Sequence, residues 1–490
     1  MKEDEDVSPV RRVIIVGGGI ASMMVATTIV KKTATASAAT AASAATSANN
    51  KIKIDVTIID KQNYLDWSIA SPRMVVNPDT IVQMGYIMPL DKVIEHINNT
   101  KNSGGGTKKK KKQNGNSITT NIKFLHGMVK KVSNKDVTLE DGTILPADVI
   151  IIATGGQYHQ SSTSTSTSST NGGGGGAAAL WKPTNDQTTK ELRIAGIRLL
   201  HENIKASNHI LIVGCGPTGI EIAGEIKSTF PSKKVTIVGT MLPNSSSSPT
   251  LQRRMKDTLQ KRMGIVVIDE NHPRIDLNNI NIPPPDKDNN TGRNVTVTTT
   301  QDDGSSSSST TIIQNVDLVL NASGFIYQGR KLADDKTLLK DVTDRGQFNC
   351  RFTLQLQSYD NVFCCGDILA IPTTNEGSSY YADVKGSKHA EDTGEIVGEN
   401  VVRYLLSSVT RKKDDTNTPS SLLLKEFKWS KVPIQSPMLT ALGTSIGIGY
   451  FGENVPFFLH WMENFITKQM KCHDYYMSMK GKFYGKGITW

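Results

Sequence analysis

The stretch Asn208–Glu225, NHILIVGCGPTGIEIAGE, constrains what this chain can fold into more than any other. A run of aliphatic residues stops at Gly214, glycines follow in the G-x-G-x-x-G spacing, and a helical pattern continues from there. Gly214 permits the tight turn, Gly216 lets the backbone approach a pyrophosphate, and Gly219 lets the new helix pack on the strand. The helix N-terminus is left to hold anionic phosphate. One such motif is weak evidence. A second copy, RVIIVGGGIAS, lies at Arg12–Ser22 and supplies Gly17, Gly18, Gly19, Ile20, Ala21 and Ser22, with serine where a third small residue is expected. Two copies predict an α/β fold with two Rossmann-like dinucleotide-binding units built on parallel sheets.

A dinucleotide fold expects an acid about 20 positions past its glycines to bind a ribose hydroxyl. The first copy is followed by a helix to about Lys32 and then by the Ala/Ser/Thr-rich tract Thr33–Asn50. Asp60 closes the next apolar run and lies 41 residues past Gly19, or 23 once the 18-residue tract is left out. The tract reads as an expansion beyond the end of the helix. The second copy lacks its acid, because the strand Lys234–Val238 closes on Gly239-Thr240, 20 residues past Gly219. Nothing there repels the 2′-phosphate of NADP, and Arg253 and Arg254 are candidates to meet it, so both nicotinamide dinucleotides stay open as donors.

Composition removes other classes. The chain has 490 residues, enough for two to four domains, yet only 37% are apolar, against about 45–50% in ordinary globular chains. Low-complexity tracts, including Asn102–Ser117 and His159–Ala179, account for the deficit. The formal charge of +10 owes five units to Lys108–Lys112, within a polar tract without aromatics, which argues against nucleic acid as a partner. The five cysteines form no CxxC or CxxxxC pair, which argues against a metal site, a secreted disulfide framework and a redox dithiol. The acidic start MKEDEDVSP has no apolar leader, Lys2 stands where myristoylation needs glycine, and no apolar run approaches the ~20 residues of a membrane span. The expectation is a cytoplasmic protein.

Other stretches fit around the two motifs. Asn63–Val76, NYLDWSIASPRMVV, reads as a loop and helix start over a ligand, or equally as ordinary packing. Ile122–Val129 and Asp136–Leu139 read as strands, with an Asp141-Gly142 turn leading to a further strand from Ile144. The buried run Asp148–Ile152 ends in Ala153, Thr154 and Gly155, a small-residue end that lets the chain turn sharply beside a ligand. A helix covers about Thr188–Ala206. Strands at about Gly264–Ile268, Arg293–Thr300 and Val316–Leu320 finish the second unit, with Ile282–Asn290 and Asp302–Thr311 as polar loops. Asn361–Asp367, NVFCCGD, ends in Gly366 and Asp367, whose carboxylate is suited to ribityl hydroxyls, although Gly-Asp is also a common turn. A helix from about Ala382 to Leu406 follows.

The order VGGGIAS, IIATG, VGCGPTGIEIAGE, NVFCCGD resembles the two-dinucleotide-binding-domain flavoproteins related to pyridine nucleotide disulfide oxidoreductases. Within them, the missing cysteine pair, GCGPTGIEIAGEIKSTFPSKKVTIV and SIASPRMVV are most similar to the ferroptosis suppressor and apoptosis-inducing-factor-like flavoproteins, with type II NADH dehydrogenases as cousins. The resemblance implies FAD and NAD(P)H as cofactors. Gly17–Ser22, Asp60, Lys61, Ala153–Gly155, Gly366 and Asp367 would hold FAD, with Arg73 a further contact and Val129 a backbone clamp on the adenine. Gly214, Gly216, Thr218, Gly219 and Gly239 would hold the nicotinamide dinucleotide. Glu221 would stand beside the nicotinamide and flavin rings, a role its residue type leaves level with simple favouring of a helix first turn. Lys482 matches a lysine near the active site, although Gly481 stands where the family has tryptophan.

The implied organisation is an FAD domain in two segments, 8–185 and 325–425, a nicotinamide domain at 186–324, and a C-terminal module at 426–490. The implied activity is hydride transfer from NAD(P)H to FAD and onward to a quinone. Reduction of a protein acceptor, or an NADH-responsive binding role, are the alternatives. Phe458, Trp461, Met462, Phe465 and Ile466 share one helical face near Lys468 and Lys471, as a core stripe or as a peripheral membrane and quinone contact. The oligomeric state is left open.

Overall fold

In the computed structural model the described residues are 10–42, 52–100, 118–158, 182–242, 249–269, 274–281, 293–300, 308–323, 325–334, 336–372, 386–410, 424–429, 438–443 and 446–450. Val10–Val16 (β1) ends at the first glycine turn, Ile20–Ala42 (α1) leaves it, and Ile52–Asp60 (β2) returns parallel to β1, with Val13 opposite Val56. Tyr64–Asp66 (β3) is followed by Ser71–Val76 (α2) and Asp79–Met84 (α3), and Ile87–Pro89 (β4) then pairs antiparallel with β3. Leu90–Asn99 (α4) leads to Ile118–His126 (β5), parallel to β2. Val129–Val132 (β6), Asp136–Leu139 (β7) and Ile144–Pro146 (β8) make a small antiparallel sheet before Val149–Ile152 (β9) re-enters beside β1.

After Gln157–Tyr158 (β10) and Lys190–Ala206 (α5), the second unit repeats the pattern. His209–Val213 (β11), Pro217–Thr229 (α6), Lys234–Val238 (β12), Pro249–Asp257 (α7) and Val266–Ile268 (β13) follow in turn. Arg274–Asn281 (β14), Arg293–Thr300 (β15) and Ser308–Val316 (β16) form an antiparallel sheet, and Leu318–Asn321 (β17) returns parallel to β11. Phe325–Ile326 (β18) pairs with β10, and Gly329–Leu332 (α8), Val362–Cys364 (β19) and Ser387–Thr410 (α9) bring the chain back to the first sheet. Met438–Leu442 (β20) and Ile446–Tyr450 (β21) form a hairpin.

The two central sheets share one plan. The first has strand order β19-β9-β1-β2-β5 and the second β13-β12-β11-β17, so in each the strand before the glycine turn sits between its successor and a late returning strand. β9 and β11 are buried along their whole length, as expected of parallel strands covered on both faces. On the outer face of the first sheet, α1 packs along α9, and Glu399 of α9 gathers Lys32 at 2.9 Å, Arg403 at 2.7 Å and Lys425 at 2.8 Å.

Several boundaries differ from those read in the sequence. The helix after the first glycine turn runs on to Ala42, into the tract taken for an expansion beyond it. Alanine favours helix, and Thr33 and Ser37 dock on β5 through Thr120 Oγ1 at 2.9 Å and Ile118 O at 3.2 Å. The run Ile122–Val129 breaks at Gly127, giving β5 to the parallel sheet and β6 to a separate one. Arg274–Asn281 is a strand that the sequence did not suggest, and the supposed polar loop 302–311 gives its end to β16. Here ladder hydrogen bonds along β15 override weak local patterning. The aromatic stripe at 458–466 and Lys482 lie outside the described residues.

Candidate active site

Both glycine turns are built by the same contacts. In the first, the Gly17 amide donates to Ile59 O at 2.8 Å and the Ala153 amide to Val16 O at 2.8 Å. In the second, Gly214 donates to Val238 O at 2.8 Å and Ala322 to Val213 O at 2.8 Å. Gly17 and Gly214 both sit at φ +112°, and a Cβ on either would stand 2.5 Å from Ala153 O or 2.7 Å from Ala322 O. Only glycine fits there. Beyond each turn the space opens, since nothing lies within 4 Å of a Cβ built at Gly19 or Gly216. α6 starts at Gly216 with no side-chain cap, so its first-turn amides need acceptors from outside the helix.

The first crevice gathers most of the residues expected for FAD. Asp60 accepts from the amides of Gly18 and of Gln62, the latter at 2.7 Å, and so ties the end of β2 to the glycine turn. Burial pushes its carboxyl up, and the two amides oppose that shift. The Gly127 amide donates to Asp60 O at 2.9 Å, which brings Val129, at the start of β6, to the same end of β2. Lys61 is turned outward to Asn185 Oδ1, and burial lowers its ammonium pKa. Gly366 faces the start of α1, where a Cβ on it would lie 3.3 Å from Ala21 Cβ. The Gly366 amide donates to Thr393 Oγ1 of α9 at 3.0 Å.

Ala153, Thr154 and Gly155 close the rim between these parts. Thr154 Oγ1 and the fully buried Ser22 Oγ have no hydrogen-bond partner among the described residues. A rim with an open glycine and a buried hydroxyl lacking a partner fits a ligand that brings its own oxygens. Lys182 adds a residue the sequence did not suggest, with Nζ 3.2 Å from Gly156 O and 3.4 Å from Asp367 Oδ2.

At the second crevice, Gly239 ends β12 at φ +137°, with its amide bonded to Ile268 O at 3.1 Å. A side chain there is strained, which explains in backbone terms why no acid follows the strand. An acid arrives from the neighbouring strand end instead: Asp269 Oδ1 accepts from the Met241 amide at 3.2 Å, and Asp269 faces Lys256 at 3.8 Å. Arg253 is exposed and Arg254 half-buried, and Lys256 stands beside this edge as the ion-pair partner of Asp269.

Arg73 and Glu221 lie at neither glycine turn. Arg73 of α2 makes a bidentate pair with Glu225 of α6, Nε to Oε2 and Nη2 to Oε1, both at 2.7 Å. Burial raises the Glu225 carboxyl and Arg73 opposes it. Glu221, also buried, stands one helical turn before Glu225. The described cysteines, Cys215, Cys350, Cys364 and Cys365, are free and buried. Burial pushes the thiols of Cys215, Cys364 and Cys365 up, which suppresses the thiolate that disulfide exchange needs.

Two parallel sheets of one plan, each ending in a glycine turn that opens to free space, define a flavoprotein-type α/β protein with two dinucleotide-binding units. The model of the pyridine nucleotide-disulphide oxidoreductase family matches residues 11–386, and the chain belongs to that family, with FAD and NAD(P)H as its cofactors. Apoptosis-inducing factor homolog A of Dictyostelium discoideum is 25% identical, over 64% of this chain and 65% of its own. Ferroptosis suppressor protein 1 of Xenopus laevis is 24% identical, over 62% of this chain and 67% of its own. The chain thus spans about two thirds of the length of these relatives. Among solved structures, sulfide:quinone oxidoreductase of Aquifex aeolicus matches with a TM-score of 0.55 at 12% identity, covering 97% of this chain and 93% of that one. NDH2 of Plasmodium falciparum, solved with NADH, gives 0.55 at 13%, covering 97% and 99%. These likenesses show the fold.

Proposed function

We propose that the protein transfers hydride from NAD(P)H to FAD and passes the electrons to a quinone. The observation that carries this reading is α6: its first turn forms the second crevice, and the next turns present Glu221 and the Glu225 that clasps Arg73 of the first unit. One rigid helix therefore links the nicotinamide site to the FAD-binding unit beside a buried carboxylate. FAD, when bound, accepts two electrons as hydride and releases them singly or together. The chain's part is to hold and orient. Gly17–Ser22 and Asp60 would fix the adenosine and pyrophosphate end of FAD, and Asp367, neutralised by Lys182, the ribityl end. Gly214–Gly219 would take the nicotinamide dinucleotide pyrophosphate at the α6 N-terminus, and Glu221 would orient the nicotinamide.

In this reading 8–185 and 325–425 form the FAD unit, 186–324 the nicotinamide unit, and 426–490 the part that meets a membrane carrying the quinone. The quinone acceptor is favoured by the likeness to sulfide:quinone oxidoreductase. The proposed membrane contact is a peripheral one, and among the described residues no helix is long and apolar enough to cross a membrane. The test is steady NAD(P)H oxidation by the purified full chain with a soluble quinone. Turnover that depends on both substrates and on bound flavin supports the reading; reduction of flavin without quinone turnover contradicts the acceptor.

A further inference from the structure

The two crevices superpose strand by strand. Gly17 donates to Ile59 O and Gly214 to Val238 O, so Val238 takes the place of Ile59 and Gly239 that of Asp60. On the next ladder Asp60 pairs with His126 of β5, and Val238 pairs with Ile268 of β13, so Asp269 stands where the first crevice has His126. The acid has moved one strand over. Its carboxylate still turns back across the edge, because Oδ1 accepts from the Met241 amide at 3.2 Å, two residues past Gly239. In the first turn Asp60 accepts from the Gly18 amide, and in the second the counterpart of Gly18 is Cys215. Burial chiefly, and the Asp269 charge after it, push the Cys215 thiol up. Two acids from different strands thus stand beside equivalent residues of the two turns.

The other oxygen of Asp269 meets a cation. Lys256 of α7 sets Nζ 3.8 Å from Oδ2, with 38% of the lysine side chain and 18% of the aspartate exposed. The Arg73–Glu225 clasp is closer, at 2.7 Å. A long, part-exposed pair is loosely held, so either partner can exchange the other for a ligand.

We infer that Asp269 and Lys256 read the 2′ position of the nicotinamide dinucleotide, the acid accepting from the ribose hydroxyl of NADH and the lysine meeting the 2′-phosphate of NADPH. The inference rests on the reading that the second crevice takes this dinucleotide, and it names the residues that weigh one donor against the other. A carboxylate only accepts, which suits ribose hydroxyls, whereas an acid alone would repel a 2′-phosphate. Lys256 offsets that repulsion. Selection is not built at the usual strand end because a Cβ on Gly239 would stand 3.2 Å from the Cys215 amide nitrogen, at φ +137°. The next strand supplies the acid without that strain, and α7 supplies the cation.

The test is calorimetric titration of the flavin-loaded full chain with NAD⁺ and with NADP⁺, which bind without reducing the flavin. Asp269→Asn keeps an acceptor for the Met241 amide and removes the charge. It is expected to weaken NAD⁺ about fivefold or more and to leave NADP⁺ within about twofold. Lys256→Glu is expected to weaken NADP⁺ about threefold and to leave NAD⁺ within about twofold. A parental ratio of the two dissociation constants in both variants overturns the inference. Equal weakening of both dinucleotides by Asp269→Asn also overturns it, since the acid would then serve the adenine or the loop and not the 2′ position. A parent that binds neither dinucleotide overturns the reading of the second crevice together with this inference, so the two failures are distinguishable.

Discussion

The two glycine crevices are copies in construction and opposites in how they end. Gly17 against Ala153 and Gly214 against Ala322 share one φ, one pair of 2.8 Å hydrogen bonds and one steric reason for glycine. At the end of the second strand they part. The first crevice has Asp60, held by two backbone amides; the second has Gly239, with Asp269 reached across from the next strand and faced by Lys256. The first is further closed by Gly366, Asp367, Lys182 and α9, elements that come from distant parts of the chain. A crevice clasped from several sides suits a resident cofactor, and one with a glycine edge and a balanced ion pair suits a dinucleotide that must leave each cycle. On the proposed reading, one kind of turn serves two sites with different residence times.

The largest separation of the two should come from the turns themselves. Gly17→Ala is expected to leave less than about a tenth of the normal flavin content, since the added Cβ meets a backbone carbonyl at a strained φ. Gly214→Ala, with the same clash, should keep its flavin and lose about a hundredfold or more in the rate at which NADH bleaches it. Absorbance of the purified variants checks both, and flavin loss in both or neither would erase the distinction.

Asp367→Ala should lower flavin affinity by about tenfold or more, read by flavin release on dilution, with the second crevice unaffected. Gly239→Asp asks whether the missing acid can simply be restored. At φ +137° the side chain is strained, so the variant should melt earlier, by about 1–3 kcal/mol of stability, without becoming a clean NADH-selective enzyme. A variant with parental stability and strong NADH preference would show that the backbone does not dictate this edge.

The unaltered protein is expected to use NADH and NADPH with efficiencies within about tenfold, or ~1.4 kcal/mol. Lys256→Glu should move that ratio about threefold toward NADH, measured as kcat/KM for each donor. The smallest effect concerns α9, which backs the first crevice only. Burial would raise the Glu399 carboxyl, but hydrogen bonds from Lys425, Lys32 and Arg403 outweigh it and hold the group at about 2, below its ordinary 4.5. A depressed carboxylate stabilises the fold above its ordinary pKa, and that contribution fades as pH falls from about 5 toward 2. Glu399→Gln should therefore reduce stability at neutral pH by about 1–2 kcal/mol and flatten the acid limb of a melting-temperature profile.

Much of this was legible in the sequence because glycine turns and buried parallel strands are local signals. The four motifs fall where the sheets need them, and the spacing that singles out Asp60 once the Ala/Ser/Thr tract is set aside agrees with its place at the end of β2 beside the first glycine turn. What stayed hidden depends on contacts distant in the chain. Lys182 follows a low-complexity tract, and only folding sets it beside Asp367, 185 positions away. Asp269 and Lys256 carry no motif, because the acid they replace belongs to another strand. Arg73 also pairs with Glu225, 152 positions away, a pairing that no periodicity announces. The helical extension to Ala42 was masked by composition, since serine and threonine weaken a helix locally until β5 gives them partners.

The most direct test of two unequal crevices on one chain is an anaerobic titration of the purified full-length protein with NADH and, separately, NADPH, followed by visible absorbance. The account predicts a protein that carries tightly bound FAD and is bleached by either donor, with the nicotinamide released on gel filtration while the flavin stays. A protein without flavin, or one whose flavin is bleached by dithionite but by neither nicotinamide dinucleotide, would contradict it.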